Sequence, residues 1–233
     1  MTHVLERLRG RLIVSVQAEH GSLLGEAETI ELLARVAVRN GAAGVRIEGG
    51  ARIAAVRAAL PDVPIVGIVK RRHAGFAPYI TSVPGEVAEV AAAGADLVAF
   101  DATARAHAQD ATVEGLIAAA RGLGLTSLAD CATRAEAEAA ARAGADAVAT
   151  TLAGYTDDTR GRSLPALDVV AALVGGDRFV VCEGGIATPE DARRAFAAGA
   201  AAIVVGTAIT NVDALVRRFA ETAPARPGSG GQP

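Results

Sequence analysis

Lys70 is the only lysine among 233 residues in a chain that otherwise carries its positive charge on arginine. It closes the apolar run PIVGIVK at 64–70. Other short apolar runs also end on polar groups: Gln17, Arg46, Asp101, Asp130, Thr150 with Thr151, Glu183, and Gly206 with Thr207. A lysine held away from water and near other cations loses its proton more readily, so it can act as a base near neutral pH. Arg46 and Arg71 are the candidate neighbours. The same lysine can instead form a Schiff base or hold a phosphate. Glu183 can carry a proton as general acid or base, or simply pair with Lys70 or Arg46. Asp130 can orient Lys70, bind a hydroxyl, or belong to a structural ion pair with Arg46. Arg46 can also stabilise negative charge that develops on a reacting oxygen.

These residues need a scaffold that gathers run ends onto one face. A phrase recurs along the chain: NGAAGVRI at 40–47, AGADLVAF at 93–100, AGADAVAT at 143–150 and AGAAAIVV at 198–205. Each follows an Ala/Arg/Glu-rich stretch of helical periodicity. Its Gly suits a helix end, where the backbone turns left-handed. The uninterrupted apolar run after it suits a strand buried on both faces. Four further runs, at 11–17, 64–70, 125–130 and 178–183, lie between these. Eight strands therefore alternate with helices at about 27–40, 51–59, 84–93, 111–122, 134–143, 166–174, 189–198 and 212–220. Thr133 and Thr188 stand as N-caps, the latter before Pro189 and Glu190.

Alternating units imply a parallel sheet with right-handed crossovers, and eight imply closure. The fold class is α/β, a single-domain (β/α)8 TIM barrel spanning 1–222, with a Pro/Gly/Ser-rich tail at 223–233 expected to be disordered. The rival open sheet would carry a Gly-rich phosphate loop after its first strand, and the first loop, QAEHGSLLGEAE, contains none. In such a barrel the C-terminal strand ends form the site, and phosphate sits by the loops after strands seven and eight. Backbone amides of Gly184, Gly185, Gly206 and Thr207 are the expected phosphate donors. The Gly-Gly-Ile run before Thr188-Pro189 opens a helix N-terminus.

Composition narrows the classes further. A net charge of −3 gives neither a nucleic-acid footprint nor a polybasic membrane patch. No apolar run has the length of a membrane helix or signal peptide, so a cytoplasmic soluble protein is expected. Cys131 and Cys182 read as small buried hydrophobes. The four histidines lack metal-ligand spacing, and His73 reads as a solvated loop residue. No metal and no cofactor are expected.

The strand ends also carry a resemblance. LIVSVQA at 12–18, IVKR at 68–71 with YIT at 79–81, AFDAT at 99–103, LADCAT at 128–133, TTLAGYT at 150–156, CEG at 182–184 and VVGTAIT at 204–210 follow one another in register. In this the chain resembles the N-acetylmannosamine-6-phosphate 2-epimerases over most of its length. The resemblance implies interconversion of N-acetyl-D-mannosamine 6-phosphate and N-acetyl-D-glucosamine 6-phosphate at C2. It implies Lys70 as proton-transfer group and Glu183 as second catalytic group. Gln17, Arg46, Asp130, Tyr79 and Thr151 then bind the substrate. The chain departs from the family at Glu48 (usually Asn), Gly185 (usually Arg or Lys) and Asn211 (often Arg). The last two remove cations from the phosphate end and leave main-chain amides there, with Arg160 and Arg162, in the loop after Gly154-Tyr155-Thr156, the candidate side-chain cations.

Three other readings share these residues. A Schiff-base aldolase uses the same lysine; a ribulose-phosphate 3-epimerase is disfavoured by the lack of strand-end histidines. A non-catalytic phosphosugar-binding barrel is the third. The expected partner is a small phosphorylated amino sugar, with no nucleic acid and no membrane. The expected assembly, where there is one, is a homodimer.

Overall fold

The computed structural model describes residues 3–175 and 178–223; residues 224–233 of the Pro/Gly/Ser-rich tail lie outside them. Eight parallel strands close in sequence order: β1 (Arg11–Val16), β2 (Gly44–Glu48), β3 (Ile65–Ile68), β4 (Leu97–Asp101), β5 (Thr126–Asp130), β6 (Ala147–Ala149), β7 (Phe179–Glu183) and β8 (Ala202–Val205). The seam between β8 and β1 pairs Val14 with Val205. Helices α2 (Ala27–Arg39), α3 (Gly50–Ala59), α4 (Pro84–Ala92), α5 (Val113–Gly122), α6 (Arg134–Arg142), α7 (Leu167–Leu173) and α8 (Pro189–Ala197) separate them. Their bounds fall within one or two residues of those read from periodicity.

Local sequence explains most boundaries. The recurring glycines Gly41, Gly94, Gly144 and Gly199 have φ of 106, 89, 97 and 100°, a conformation that costs glycine nothing and other residues strain. Thr133 and Thr188 form capping boxes with Glu136 and Asp191, each satisfying otherwise orphaned helix amides.

Side chains alternate across each strand, and the core accordingly has two layers. Val14, Val45, Ile65, Val98 and Phe100 face the helices. Ile13, Val66, Ile68, Leu97, Leu128, Phe179 and Val204 fill the barrel interior. Continuing the inward parity toward the C-terminal ends gives Gln17 after Ile13, Lys70 after Ile68, Asp130 after Leu128 and Glu183 after Val181. Parity therefore aims the chemistry-bearing residues inward.

Two short elements escape the periodicity, one before β1 and one after β8, whereas the helix expected at 212–220 is present but not buried. A short helix, α1 (His3–Leu8), buries Leu5 and Leu8 to 1% exposure in the interior layer. It thereby seals the N-terminal end of the barrel. After β8 the chain makes one turn, α9 (Thr207–Thr210), and then α10 (Val212–Ala220). An outer-ring helix normally buries an apolar stripe, but α10 buries none of its residues, and Val216 and Phe219 are 59% and 75% exposed.

Candidate active site

The centre of the barrel mouth is Arg46, contributed by β2 and fully enclosed. Its Nη1 and Nη2 donate to Asp130 Oδ1 and Oδ2 at 3.1 and 2.6 Å. Nη1 also donates to Glu183 Oε2 at 2.7 Å. Thr151 Oγ1 lies 2.6 Å from Asp130 Oδ1 and 3.1 Å from Glu183 Oε2, one hydroxyl spanning both carboxylates. One cation thus faces two carboxylates, and the second carboxylate is undercompensated. Burial pushes Glu183 up to about 6; the charge of Asp130 adds to this, and Arg46 opposes it. Arg46 loses to burial but gains more from the two carboxylates, so its pKa rises further.

Lys70 stands in the same mouth, where its side chain is exposed on the cavity wall. Its pKa is lowered, first by desolvation and then by the charge of Arg46; Glu48, Glu183 and Asp130 partly offset this. Arg71 does not join it. The Arg71 guanidinium turns outward to Glu89 at 2.9 Å and Glu86 at 3.4 Å, because consecutive residues of an extended segment point to opposite sides. His73 is not the solvated loop residue expected. Its Nε2 sits 2.9 Å from Oε1 of the buried Glu86, and the Glu86 Oε2 accepts from the Ser82 amide at 2.6 Å. This buried carboxylate ties down the loop after β3. The loop folds back on the strand: Lys70 bridges Ile80 antiparallel, Arg71 N donates to Tyr79 O at 2.9 Å, and Thr81 N donates to Val69 O at 2.8 Å. Tyr79 is brought to the cavity wall beside Lys70.

The cavity measures about 810 Å³ and is lined by Gln17, Arg46, Lys70, Tyr79, Thr151 and Glu183. Gly184, Gly185, Gly206 and Thr207 line it as well. Gln17 Nε2 donates to Ser15 Oγ at 2.6 Å, and its buried Oε1 has no protein partner. Asp130 is not on the wall; it lies behind Arg46, wholly buried. Two other strand ends are engaged locally. Asp101 accepts from Thr103 and from Arg105 at 2.6 Å. Thr150 exchanges hydrogen bonds with the Glu183 backbone.

The three departures have structural counterparts. Glu48 pairs with Arg52. Asn211 accepts from Ala214 N as the cap of α10 and donates to Glu19 at 3.1 Å. Gly185 has φ of 76°, and a Cβ there would lie 2.3 Å from Leu164 Cβ. Any larger residue would have to displace the loop before α7. Arg160 and Arg162 are drawn to Asp157 and Asp168 and do not reach the wall. The cation that does is Arg218 of α10, which the sequence reading missed. Its signal was the spacing of Asn211, Leu215, Arg218 and Thr222, one helical face that lines the cavity.

Burial pushes the Cys131 thiol well up and that of Cys182 to about 11, so neither is a nucleophile at neutral pH. Among the described residues no three His, Cys, Asp or Glu side chains converge as metal ligands, and no helix is long and apolar enough to cross a membrane.

Residues 30–224 match the family model NanE, described as "Putative N-acetylmannosamine-6-phosphate epimerase". The chain belongs to the N-acetylmannosamine-6-phosphate 2-epimerase family. A relative of that name from Synechococcus elongatus is 43% identical over 96% of this chain and 97% of its own. One from an Enterobacter species is 39% identical over 94% and 95%. The solved N-acetylmannosamine-6-phosphate 2-epimerase from Clostridium perfringens superposes with a TM-score of 0.91 at 33% identity, covering 95% of this chain and 97% of that one. Family membership makes this barrel an isomerase scaffold and sets aside the aldolase and 3-epimerase readings.

Proposed function

We propose that the protein interconverts N-acetyl-D-mannosamine 6-phosphate and N-acetyl-D-glucosamine 6-phosphate by removing and returning the proton at C2. The observation that carries this is the pairing, across one cavity, of a lysine with a lowered pKa and a carboxyl group with a raised one. In the open-chain sugar C2 is adjacent to the C1 aldehyde, and its proton is acidic once the resulting enolate is stabilised. Neutral Lys70 takes that proton. Protonated Glu183 donates to O1 as charge develops there. Arg46, fixed by Asp130, contributes positive potential without needing to move. The Lys70 ammonium then returns a proton to C2 on the opposite face as Glu183 recovers the O1 proton, which completes the inversion and restores both groups.

Gln17, Tyr79 and Thr151 hold the sugar and its acetamido group; the unpartnered Gln17 Oε1 suits an N–H or O–H donor. The phosphate lies at Gly184, Gly185, Gly206 and Thr207, where the absence of side chains at the glycines allows close backbone approach.

Proton NMR in deuterated water tests the reaction. N-acetylmannosamine 6-phosphate should yield the gluco epimer carrying deuterium at C2. No epimer and no exchange from either sugar phosphate would eliminate the proposal and favour a binding barrel. Borohydride should leave activity intact; covalent trapping of Lys70 would instead indicate a Schiff base. A cytoplasmic location and a homodimer complete the proposal. The exposed apolar residues of α10 support the dimer, since pairing of two copies would cover them.

A further inference from the structure

Resting on that reading, we propose that Arg218 is the side-chain cation that recognises the substrate's phosphate, so that discrimination for the phosphorylated sugar is lodged on α10. Three cations line the cavity: Arg46, Lys70 and Arg218. Arg46 is already engaged by the carboxyl groups of Asp130 and Glu183. Lys70 stands on the cavity wall with Arg46 and Glu183, at the reacting end of the sugar in that reading. The phosphate of a sugar whose C2 lies at Lys70 and the Arg46 cluster must therefore find its compensating charge elsewhere. Glu19, the other carboxylate on the wall, is neutralised by Arg217 at 2.7 and 2.8 Å. Arg218 has no ion-pair partner among the described residues and projects from the helix that directly follows the turn bearing Gly206 and Thr207. A guanidinium offers a planar fork that fits two phosphate oxygens at once. Gly185 leaves no room for a competing side chain on the facing loop.

The expected outcome for Arg218→Gln is a KM for N-acetylmannosamine 6-phosphate raised about ten- to a hundredfold, the range of one charge-assisted hydrogen bond. Its kcat should stay within about threefold of wild type, because the chemistry lies at Lys70. Inorganic phosphate, as a competitive inhibitor, should weaken by the same factor. Arg218→Lys should recover part of the loss. Arg160→Gln removes an equal charge from the loop after β6 and should change neither value. Calorimetric titration of wild type and Arg218→Gln with inorganic phosphate separates this inference from the epimerase reading, since it needs no turnover. A weaker phosphate affinity in the variant supports Arg218 even for an inactive protein. Unchanged phosphate affinity and unchanged KM overturn it, as does a loss confined to kcat.

Discussion

The trio of Arg46, Asp130 and Glu183 sets the behaviour of individual groups. Removing the arginine strands two buried carboxylates, which typically costs about 3–5 kcal/mol. Arg46→Met should therefore lower the unfolding free energy from chemical denaturation by that amount, and a value within about 1 kcal/mol of wild type would show the pair to be energetically idle. Glu183 gives a pH signature. Its folded pKa, about 6, lies above its ordinary 4.5, so the folded state holds the proton more tightly. The associated stability is present below pH 4.5 and is lost as pH rises through about 6, about 2 kcal/mol in all. Glu183→Gln should lack that fall. It should also lose the inflection near pH 6 in kcat/KM, with a rate about 10²–10⁴-fold lower. Lys70→Ala should abolish exchange at C2 while the sugar phosphate still binds, as titration calorimetry can check. Lys70 and Glu183 were legible in the sequence because each ends an apolar run at the parity that points inward. The Arg46–Asp130 bond was open to suspicion only as one pairing among several, since 84 residues separate the partners. Arg218 was overlooked because its only mark, a shared helical face with Asn211, Leu215 and Thr222, gains meaning once that face is known to line the cavity.

Elements deliver these groups through close packing and caps. Gly67 in β3 shows the tolerance: a Cβ there would sit 2.5 Å from Val90 Cγ1 and 2.9 Å from Ala95 Cβ. Gly67→Ala should push β3 away from α4 and destabilise the fold by about 1–3 kcal/mol. Because Lys70 follows three residues later, kcat should fall along with stability. Thr133→Ala removes one half of a capping box and should cost about 1 kcal/mol by chemical denaturation with activity retained. Both caps could be read directly, since Thr-Arg-Ala-Glu and Thr-Pro-Glu-Asp state the motif in four consecutive residues. The fold-back of the loop after β3 could not. Its antiparallel bridge between Lys70 and Ile80 depends on Glu86, which is buried only once α4 has docked.

At the scale of the molecule, repetition made the barrel legible and irregularity hid the rest. The eight-fold alternation accounts for every strand, but α1 lies outside the repeat and is too short to show a period. The rim position of α10 is equally silent in sequence, since an amphipathic helix reads the same whether its apolar face meets the barrel or another molecule. Sedimentation at micromolar concentration should report a mass of two chains, and Val216→Lys should shift it toward one. A wild-type monomer would remove the dimer from the proposal.

Leu5 and Leu8 close the far end of an interior already filled by side chains, so the cavity opens only at the C-terminal rim. Whatever enters must leave past the same rim, and a bound sugar phosphate is itself the stopper. In the proposed mechanism the proton lifted from C2 competes for return, while the sugar stays, with the hydrogens on Lys70 and Glu183. Label uptake per turnover therefore becomes a clock for dwell time: tighter stoppering gives more of the original hydrogen back. Loosening the rim at α10 should speed that clock's exchange without touching the residues that move the proton.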